Sequence, residues 1–329
     1  MKYGPSGGLG GGIPQTGKDH HPPKLDAFGD QAARNFPDKP VRLVVPFPPG
    51  GLVDSLARVV AEAMRAELGQ SVIVDNRAGA AGKIGTQAVA QSAPDGYTML
   101  LANGTTHGTL PVVEPGFDPV RDFLPISLVT VTPFILAAHP DVKANNMAEL
   151  IRLAKAQPGK LNYATPGSGS AAHFAGELMK SLGGIDIVHV PYKGLAPAMV
   201  DLLAGRVDLT FDSTILQHLK SGKLKALATT GIERSPLLPE VPTLNESGLT
   251  GYDIVGWAGL AVPARTPADA VTKLNAAAVK RLAQPAVQLR LREVGLVPVS
   301  STPERMGRLI DESIARYRKI ARDNNLKFE

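Results

Sequence analysis

Two stretches of the chain strip away their side chains where a strand-like run hands over to a helix-like one. They are PFPPGGLVD, Pro46 to Asp54, and ATPGSGSAAH, Ala164 to His173. In the first, Gly50 and Gly51 carry no Cβ to obstruct an approaching ligand, and Pro48 and Pro49 stiffen the loop. The helix pattern that follows starts with N–H groups that have no helical acceptor, at the positive end of its dipole. Backbone alone can seat an anion at such a place, with Phe47 beside it as an apolar surface. In the second stretch Gly167 and Gly169 open the backbone in the same way, and Thr165, Ser168 and Ser170 add hydroxyls. Each loop, read by itself, is also an ordinary strand-to-helix turn. Asp54 reads most simply as a first-turn carboxylate in the helix dipole, with Arg58 as a partner four residues on.

Ligands of doubly wound sheets sit at the carboxyl ends of the strands. The remaining strand ends add Asn103 and Thr105, then Lys193, then Asp212 and Ser213. These loops hold no arginine and a single lysine, Lys193, so an anion among them would rest on amides and hydroxyls. Charge-assisted hydrogen bonds contribute about 1.5–3 kcal/mol each. Four of them, less ordering costs, give ~8 kcal/mol, a micromolar dissociation constant.

Other chemistries find less support. GSGSAA fits the G-x-G-x-x-A dinucleotide fingerprint, but the strand after it ends Val-Pro-Tyr where a ribose-binding acid belongs. AGAAGKIG has Arg77 and Ile84 where a phosphate-binding P-loop needs Gly and Ser or Thr, so it reads as a compact turn with Lys83 in solvent. There is no G-x-S-x-G and no HExxH. His173 and Glu177 share a helix face, but two groups do not make a metal site. No catalytic group, metal or cofactor is expected. Without cysteine, thiolate nucleophiles, Cys zinc sites and disulfides are excluded.

The elements that must position these loops follow a strand–helix grammar. VRLVVPF, SVIVDN and YTMLLAN read as buried strands, separated by helices over GGLVDSLARVVAEAMRAELG and KIGTQAVAQSAPDGY. The same order returns in KLNYATP, SAAHFAGELMKSLG, IDIVHV, APAMVDLLAG, VDLTFD and KLKALATT. This predicts two doubly wound α/β lobes with parallel sheets and a cleft. ISLVTVTPFILAAHP and YDIVGWAGLAVPA would carry the chain across near Ala137 and back near Trp257, as two crossover strands forming a hinge. Lobe one then comprises residues 38–137 and 257–329, lobe two residues 138–256, and the three C-terminal helices pack on lobe one.

The first 37 residues are rich in glycine and proline and lack an apolar h-region, so they read as a flexible tail and not as a signal peptide. No run of 18 apolar residues occurs. With 329 residues, two domains are the simplest division. Aromatics are only 5% of the chain, which argues against a stacking platform for nucleic acid. The net charge of +5 is scattered and compatible with an anionic small ligand without requiring one.

Several longer motifs occur in a fixed order: PVRLVVPFPPGGLVDSLAR, VDNRAGAAGKIGTQAVAQSAPDGYTMLLA, GFDPVRDFLPISLV, PGKLNYATPGSGSAAHFAGEL, VPYKGLAPAMVDLLAGRVDLTFD, GKLKALATT and SPLLPEVPTLNESGL. From about Pro37 to the C-terminus the chain strongly resembles the Bug family, the extracytoplasmic solute-binding receptors of tripartite tricarboxylate transporters. The resemblance implies a periplasmic-binding-protein-like (type II) fold that closes on a small organic acid and delivers it to membrane transporter subunits. It implies a ligand carboxylate held between two opposed loops. The family's residues fall on Phe47, Gly50, Gly51 and Asp54, on Thr165, Gly167, Ser168, Gly169 and Ser170, on Asp212 and Ser213, and more loosely on Asn103 and Thr105. A periplasmic monomer that binds no nucleic acid is expected. The chain departs from the pattern in lacking a signal peptide and in carrying Lys83 where asparagine is common. If the glycine-rich loop borders the pocket, Lys83 would bear on ligand choice. An enzyme on the same scaffold, with Asp212 or His173 as general base, and a cytosolic carboxylate sensor or scavenger are the alternatives.

Overall fold

The computed structural model describes residues 36–114 and 118–328. In order, the chain forms β1 (Val41–Val45), α1 (Leu52–Leu68), β2 (Val72–Asn76), α2 (Lys83–Ala90), β3 (Thr98–Asn103), α3 (Leu110–Val113), α4 (Pro119–Asp122), β4 (Phe123–Pro133) and β5 (Ile135–Ala138). It continues through α5 (Met147–Ala156), β6 (Asn162–Thr165), α6 (Ala171–Gly183), β7 (Val188–Pro191), α7 (Leu195–Leu203), β8 (Leu209–Asp212), α8 (Leu216–Lys220) and β9 (Lys225–Thr229). It closes with β10 (Val255–Pro263), α9 (Ala268–Leu282), α10 (Pro285–Glu293) and α11 (Pro303–Asp323).

These strands make two five-stranded sheets, ordered β2-β1-β3-β10-β4 and β7-β6-β8-β5-β9. β1 runs parallel to β2 and β3, and β6 runs parallel to β7 and β8. The expected strand–helix–strand units are therefore present, one in each lobe. The sheets are nonetheless mixed. β10 is antiparallel to β3 and β4, and β5 is antiparallel to β8 and β9. Both exceptions lie on the segments that pass between lobes. An apolar run predicts a strand but carries no direction, so the all-parallel expectation had no means of excluding them. Sheet membership changes at Phe134, between β4 and β5, and returns to the first sheet with Val255.

β1 and β3 are buried along nearly their whole length, as strands covered on both faces require. α1 stops at Gly69, which adopts φ 68° and donates its N–H to Arg65 O, a left-handed helix end that glycine makes without strain. The first lobe's core gathers Leu43, Leu56, Val60, Met64, Met99 and Leu260. The second lobe's core gathers Tyr163, Phe174, Met179, Leu209, Phe211 and Tyr252.

α11 departs from the expectation that the last helices pack on lobe one. Its first half does so, through Met306, Ile310 and Ile314 beside Trp257. Its second half reaches the other core, where Tyr317 meets the Phe174 ring at 4.8 Å. The amphipathic stripe announces a buried face, but it is long enough to serve two cores in turn. Phe36 is buried edge-on against Tyr97, with ring centroids 4.9 Å apart, so the folded body takes in part of the expected tail; residues 1–35 lie outside the described residues. Among the described residues, no helix is long and apolar enough to cross a membrane.

Candidate ligand-binding site

The loop between β6 and α6 is shaped by its own hydrogen bonds. Thr165 Oγ1 accepts the Gly167 N–H at 3.3 Å, and Ser170 Oγ donates to Gly167 O at 2.7 Å while accepting the His173 N–H at 3.2 Å. Gly169, at φ +74°, donates its N–H to His173 Nδ1 at 3.1 Å. Most of the loop's polar groups are thus consumed internally. The N–H groups of Ser168, Ala171 and Ala172 have no protein acceptor among the described residues, nor does the exposed Ser168 hydroxyl. Those are the donors left for a ligand, at the positive end of a 13-residue helix.

A packed polar cluster lies beneath. The His173 and His189 rings stack with centroids 3.9 Å apart and planes 9° from parallel. His189 Nε2 lies 2.7 Å from Thr165 Oγ1. Tyr163 donates to Glu177 Oε1 at 2.8 Å, and Lys180 donates to the same oxygen at 2.9 Å. Gly176 makes room for the Tyr163 ring: a Cβ there would stand 2.1 Å from a ring carbon. Burial lowers the His173 pKa, against the pull of Glu177. Burial, followed by His173 and Lys180, lowers that of His189 to about 3. Both imidazoles are neutral near pH 7, the state in which His173 Nδ1 can accept the Gly169 N–H. His173 is a packed helix residue, and it props the loop.

On the first lobe, the loop after β1 is fastened from behind. Asp54 is buried and accepts from Gly50 N, Arg58 Nε and Asn76 Nδ2, each at 3.0 Å. Burial pulls the Asp54 pKa up, but the Gly50 amide, Arg58 and Asn76 outweigh it and hold the carboxyl below its usual range. The expected pairing with Arg58 is present. The Gly50 N–H is therefore occupied, whereas those of Gly51, Leu52 and Val53 have no protein acceptor among the described residues. Asn103 caps the next loop, its Oδ1 accepting the Thr105 and Thr106 N–H groups at 3.0 Å each. The glycine-rich turn folds under Phe47. At Gly82, φ +94°, a Cβ would stand 3.3 Å from Phe47 Cζ and 2.8 Å from Thr106 Cγ2. Ala80 and Ala81 hold left-handed φ of 46° and 52°, a strained state for residues with a Cβ. Lys83 is not simply solvated, as the sequence suggested: its Nζ donates to Glu114 Oε2 at 2.9 Å.

These elements enclose a cavity of about 410 Å³, within the range of roughly 300–1,000 Å³ usual for small-molecule sites. The first lobe contributes Phe47, Ala81, Thr105, Thr109, Leu110 and Val113, and the second contributes Pro166, Gly167, Ser168, Gly169, Ser170, Gly194 and Leu195. Of the residues singled out in the sequence, Phe47, Thr105, Gly167, Ser168, Gly169 and Ser170 line it. Pro48, Gly50, Gly51 and Asp54 do not; they flank or back Phe47. Asn103 and Thr165 shape the two loops from within, and Lys193 is exposed beside Gly194. Asp212 is buried away from the lining and accepts the Thr214 N–H and hydroxyl at 2.8 Å each; burial raises its pKa. The backbone of its neighbour Ser213 meets Gly295, where a Cβ would stand 2.9 Å from Ser213 O. Leu110 and Val113 had no signal in the sequence; Leu195 ends the strand-end loop that carries Lys193, and Ala81 lies in the glycine-rich run. A larger hollow of about 570 Å³ involves Asp118, Arg121, Asp311 and Arg318, away from the strand ends. Among the described residues no cluster of acidic and histidine side chains could hold a metal.

The family described as TctC, tripartite tricarboxylate transporter family receptor, matches residues 56–326. The chain belongs to this family. Its members are periplasmic solute-binding receptors, and the Bug proteins are among them. Protein BugT of Bordetella pertussis is 36% identical over 303 residues, covering 91% of this chain and 93% of BugT. The structure of R. palustris Rpa4515 with adipate superposes with a TM-score of 0.80 at 35% identity, over 89% of this chain and 99% of that one. The periplasmic binding protein BugD gives a TM-score of 0.76 at 37% identity, over 89% of this chain and all (100%) of that one. Two mixed α/β lobes are thus the family's architecture, and the cavity sits where such lobes face each other.

Proposed function

We propose that this receptor captures a small organic carboxylate in the cavity between its lobes and delivers it to the membrane subunits of a tripartite tricarboxylate-type transporter. The observation that carries the reading is the set of unpaired N–H groups at Ser168, Ala171 and Ala172, on a loop that lines a cavity shared by both lobes. Such donors can hold a small oxyanion without a counter-charge from a side chain, a carboxylate among them. The adipate carried by Rpa4515 supports the same class of ligand.

Binding without turnover fits the side chains. The His173 lone pair is taken by Gly169, and the Asp212 carboxylate is turned toward Thr214, so neither is free to act as a general base. In this reading the two lobes move as two bodies about the crossing segments, β5 moving with the second lobe and the second half of α11 packed on both. A ligand touching both lobes favours their closed arrangement. The receptor acts as a periplasmic monomer and needs no cofactor, metal or nucleic acid.

Isothermal titration with a panel of mono-, di- and tricarboxylates tests this. Micromolar or tighter binding of at least one acid, with no chemical change to it, is expected. Silence across the panel would remove the proposal, and turnover of a bound acid would replace it with an enzyme.

A further inference from the structure

α11 runs to Asp323, and the residues after it turn back onto the protein. Asn325 adopts a left-handed φ of 50°, a conformation in which asparagine can stand in for glycine at a helix end. The Leu326 N–H then reaches Ala321 O at 2.9 Å, and the Asn325 N–H reaches Arg322 O at 3.2 Å. These are the paired bonds of a helix end that reverses the chain, and Asn324 Nδ2 adds a third, to Ile320 O at 2.9 Å. Leu326 and Phe328 are thereby laid against the second lobe's core.

Phe328 lies against the β6–α6 loop. Its ring centroid is 5.5 Å from that of Phe174 and 6.2 Å from that of His173, edge-on to the imidazole with the planes 80° apart. A Cβ on Gly169 would stand 3.6 Å from Phe328 Cδ1. The ring thus packs on both partners of the bond from the Gly169 N–H to His173 Nδ1, which gives the loop its shape. Burial is the largest cause of the lowered His173 pKa, and the Phe328 ring is part of that cover. The same segment reaches the opposite side of the cavity. Gly108 belongs to the turn Thr105–Thr109, and a Cβ there would stand 3.1 Å from Tyr317 Cε2. Thr105 and Thr109 line the cavity. Tyr317, Phe174 and Phe328 therefore form one run of rings from the first-lobe turn to the second-lobe loop.

We infer that Phe328 is a positioning residue of the binding site. It holds the Gly169–His173 bond, and with it the free N–H groups of Ser168, Ala171 and Ala172, from a helix rooted in the first lobe through Met306, Ile310 and Ile314. The inference rests on the carboxylate reading above and deepens it. None of the three rings lines the cavity, so their effect on a ligand passes through the loop.

The test sets Phe328→Ala beside Phe328→Leu, which keeps an apolar contact. Hydrogen–deuterium exchange, followed by NMR in the ligand-free protein, reads the Gly169 amide. It should exchange about tenfold faster in Phe328→Ala and within about threefold of the unaltered rate in Phe328→Leu, with the Gly50 amide unmoved in both. Calorimetric titration, with adipate first and then the rest of the panel, should show binding weakened by about fivefold or more in Phe328→Ala and by less than about twofold in Phe328→Leu. An unchanged Gly169 amide in Phe328→Ala would overturn the inference, as would a Gly50 amide that quickens equally, since Phe328 would then act on the whole fold. A faster Gly169 amide with unchanged affinity would overturn it as well, leaving Phe328 a packing residue alone. If no acid binds the unaltered protein while the Gly169 amide still quickens, the carboxylate reading falls and the support of the loop stands.

Discussion

The two strand-to-helix loops that look alike in sequence are built for different work. The second-lobe loop, Thr165 to Ser170, lines the cavity and keeps its free amides at the mouth of α6. The first-lobe loop places only Phe47 in the lining, and the Gly50 N–H is turned inward onto Asp54. The supports differ in kind as well. A neutral histidine stack holds the second loop, and an ionised carboxylate bound to Arg58 and Asn76 holds the first. Bare backbone marks both places; the side chains behind the backbone decide which N–H groups remain for a ligand. We therefore assign the carboxylate grip mainly to the second lobe, with Phe47 providing apolar contact from the first.

The comparison breaks most sharply at the glycines. Gly169 has φ +74°, and a Cβ there would stand 3.1 Å from Val113 Cγ1. Gly169→Val should distort the loop and intrude on the cavity, lowering carboxylate affinity by about 100-fold or more, ~2.7 kcal/mol. Calorimetric titration reads this, and a loss under threefold would show that the second loop is not the grip. Next in size is Asp54→Ala, which removes a buried carboxylate and leaves the Gly50 and Asn76 donors unpaired. A loss of about 2–3 kcal/mol in unfolding free energy is expected, read by urea denaturation near pH 7. The Asp54 pKa is lowered in the folded state, so its contribution is present above the unfolded carboxyl value and fades as pH falls through the folded one. The difference between wild type and variant should shrink in acid, and a pH-independent difference would contradict the ionised assignment.

How much of this was legible beforehand depends on how local each feature is. VRLVVPF before a double proline and double glycine announces a strand, a turn and a helix, because all the causes lie within a few residues. Ser170 and Gly184, a side-chain cap and a left-handed glycine at the two ends of α6, are equally local, although in the sequence Ser170 reads only as a ligand hydroxyl. Leu110 and Val113 could not be read as cavity residues, because their place depends on how one lobe faces the other. The His173–His189 stack needs β6 and β7 to be neighbours before it exists. α11 shows the same limit. Its apolar stripe is plain in the sequence, yet nothing in the stripe says that Ile314 and Tyr317 belong to different cores.

The histidine stack gives the second loop a sensitivity to acid that should exceed what Asp54 gives the first near neutrality. His189 is depressed from its ordinary value near 6.5 to about 3 by burial, His173 and Lys180. Between those values the unfolded chain binds a proton that the folded one refuses, so stability rises with pH across that window and falls on acidification. From pH 7 to pH 5, about 1–2 kcal/mol should be lost through this residue after allowing for its partial exposure. His189→Gln keeps a donor toward Thr165 without a titrating ring, and its unfolding free energy should change less over the same interval. Equal pH slopes for the two proteins would mean that the stack titrates as freely as a surface histidine.

The smallest effect is expected at Gly50. Its φ is +85°, but a Cβ there would meet nothing within 4 Å. Gly50→Ala should cost about 1 kcal/mol of stability through backbone strain alone and change carboxylate affinity by less than about threefold, the loss expected of a loop that supports Phe47 without gripping the ligand. A loss of affinity as large as that of Gly169→Val would instead make the two loops equal partners in holding the acid. The division of labour between the lobes would then have to be redrawn around the free N–H groups of Gly51, Leu52 and Val53 at the start of α1.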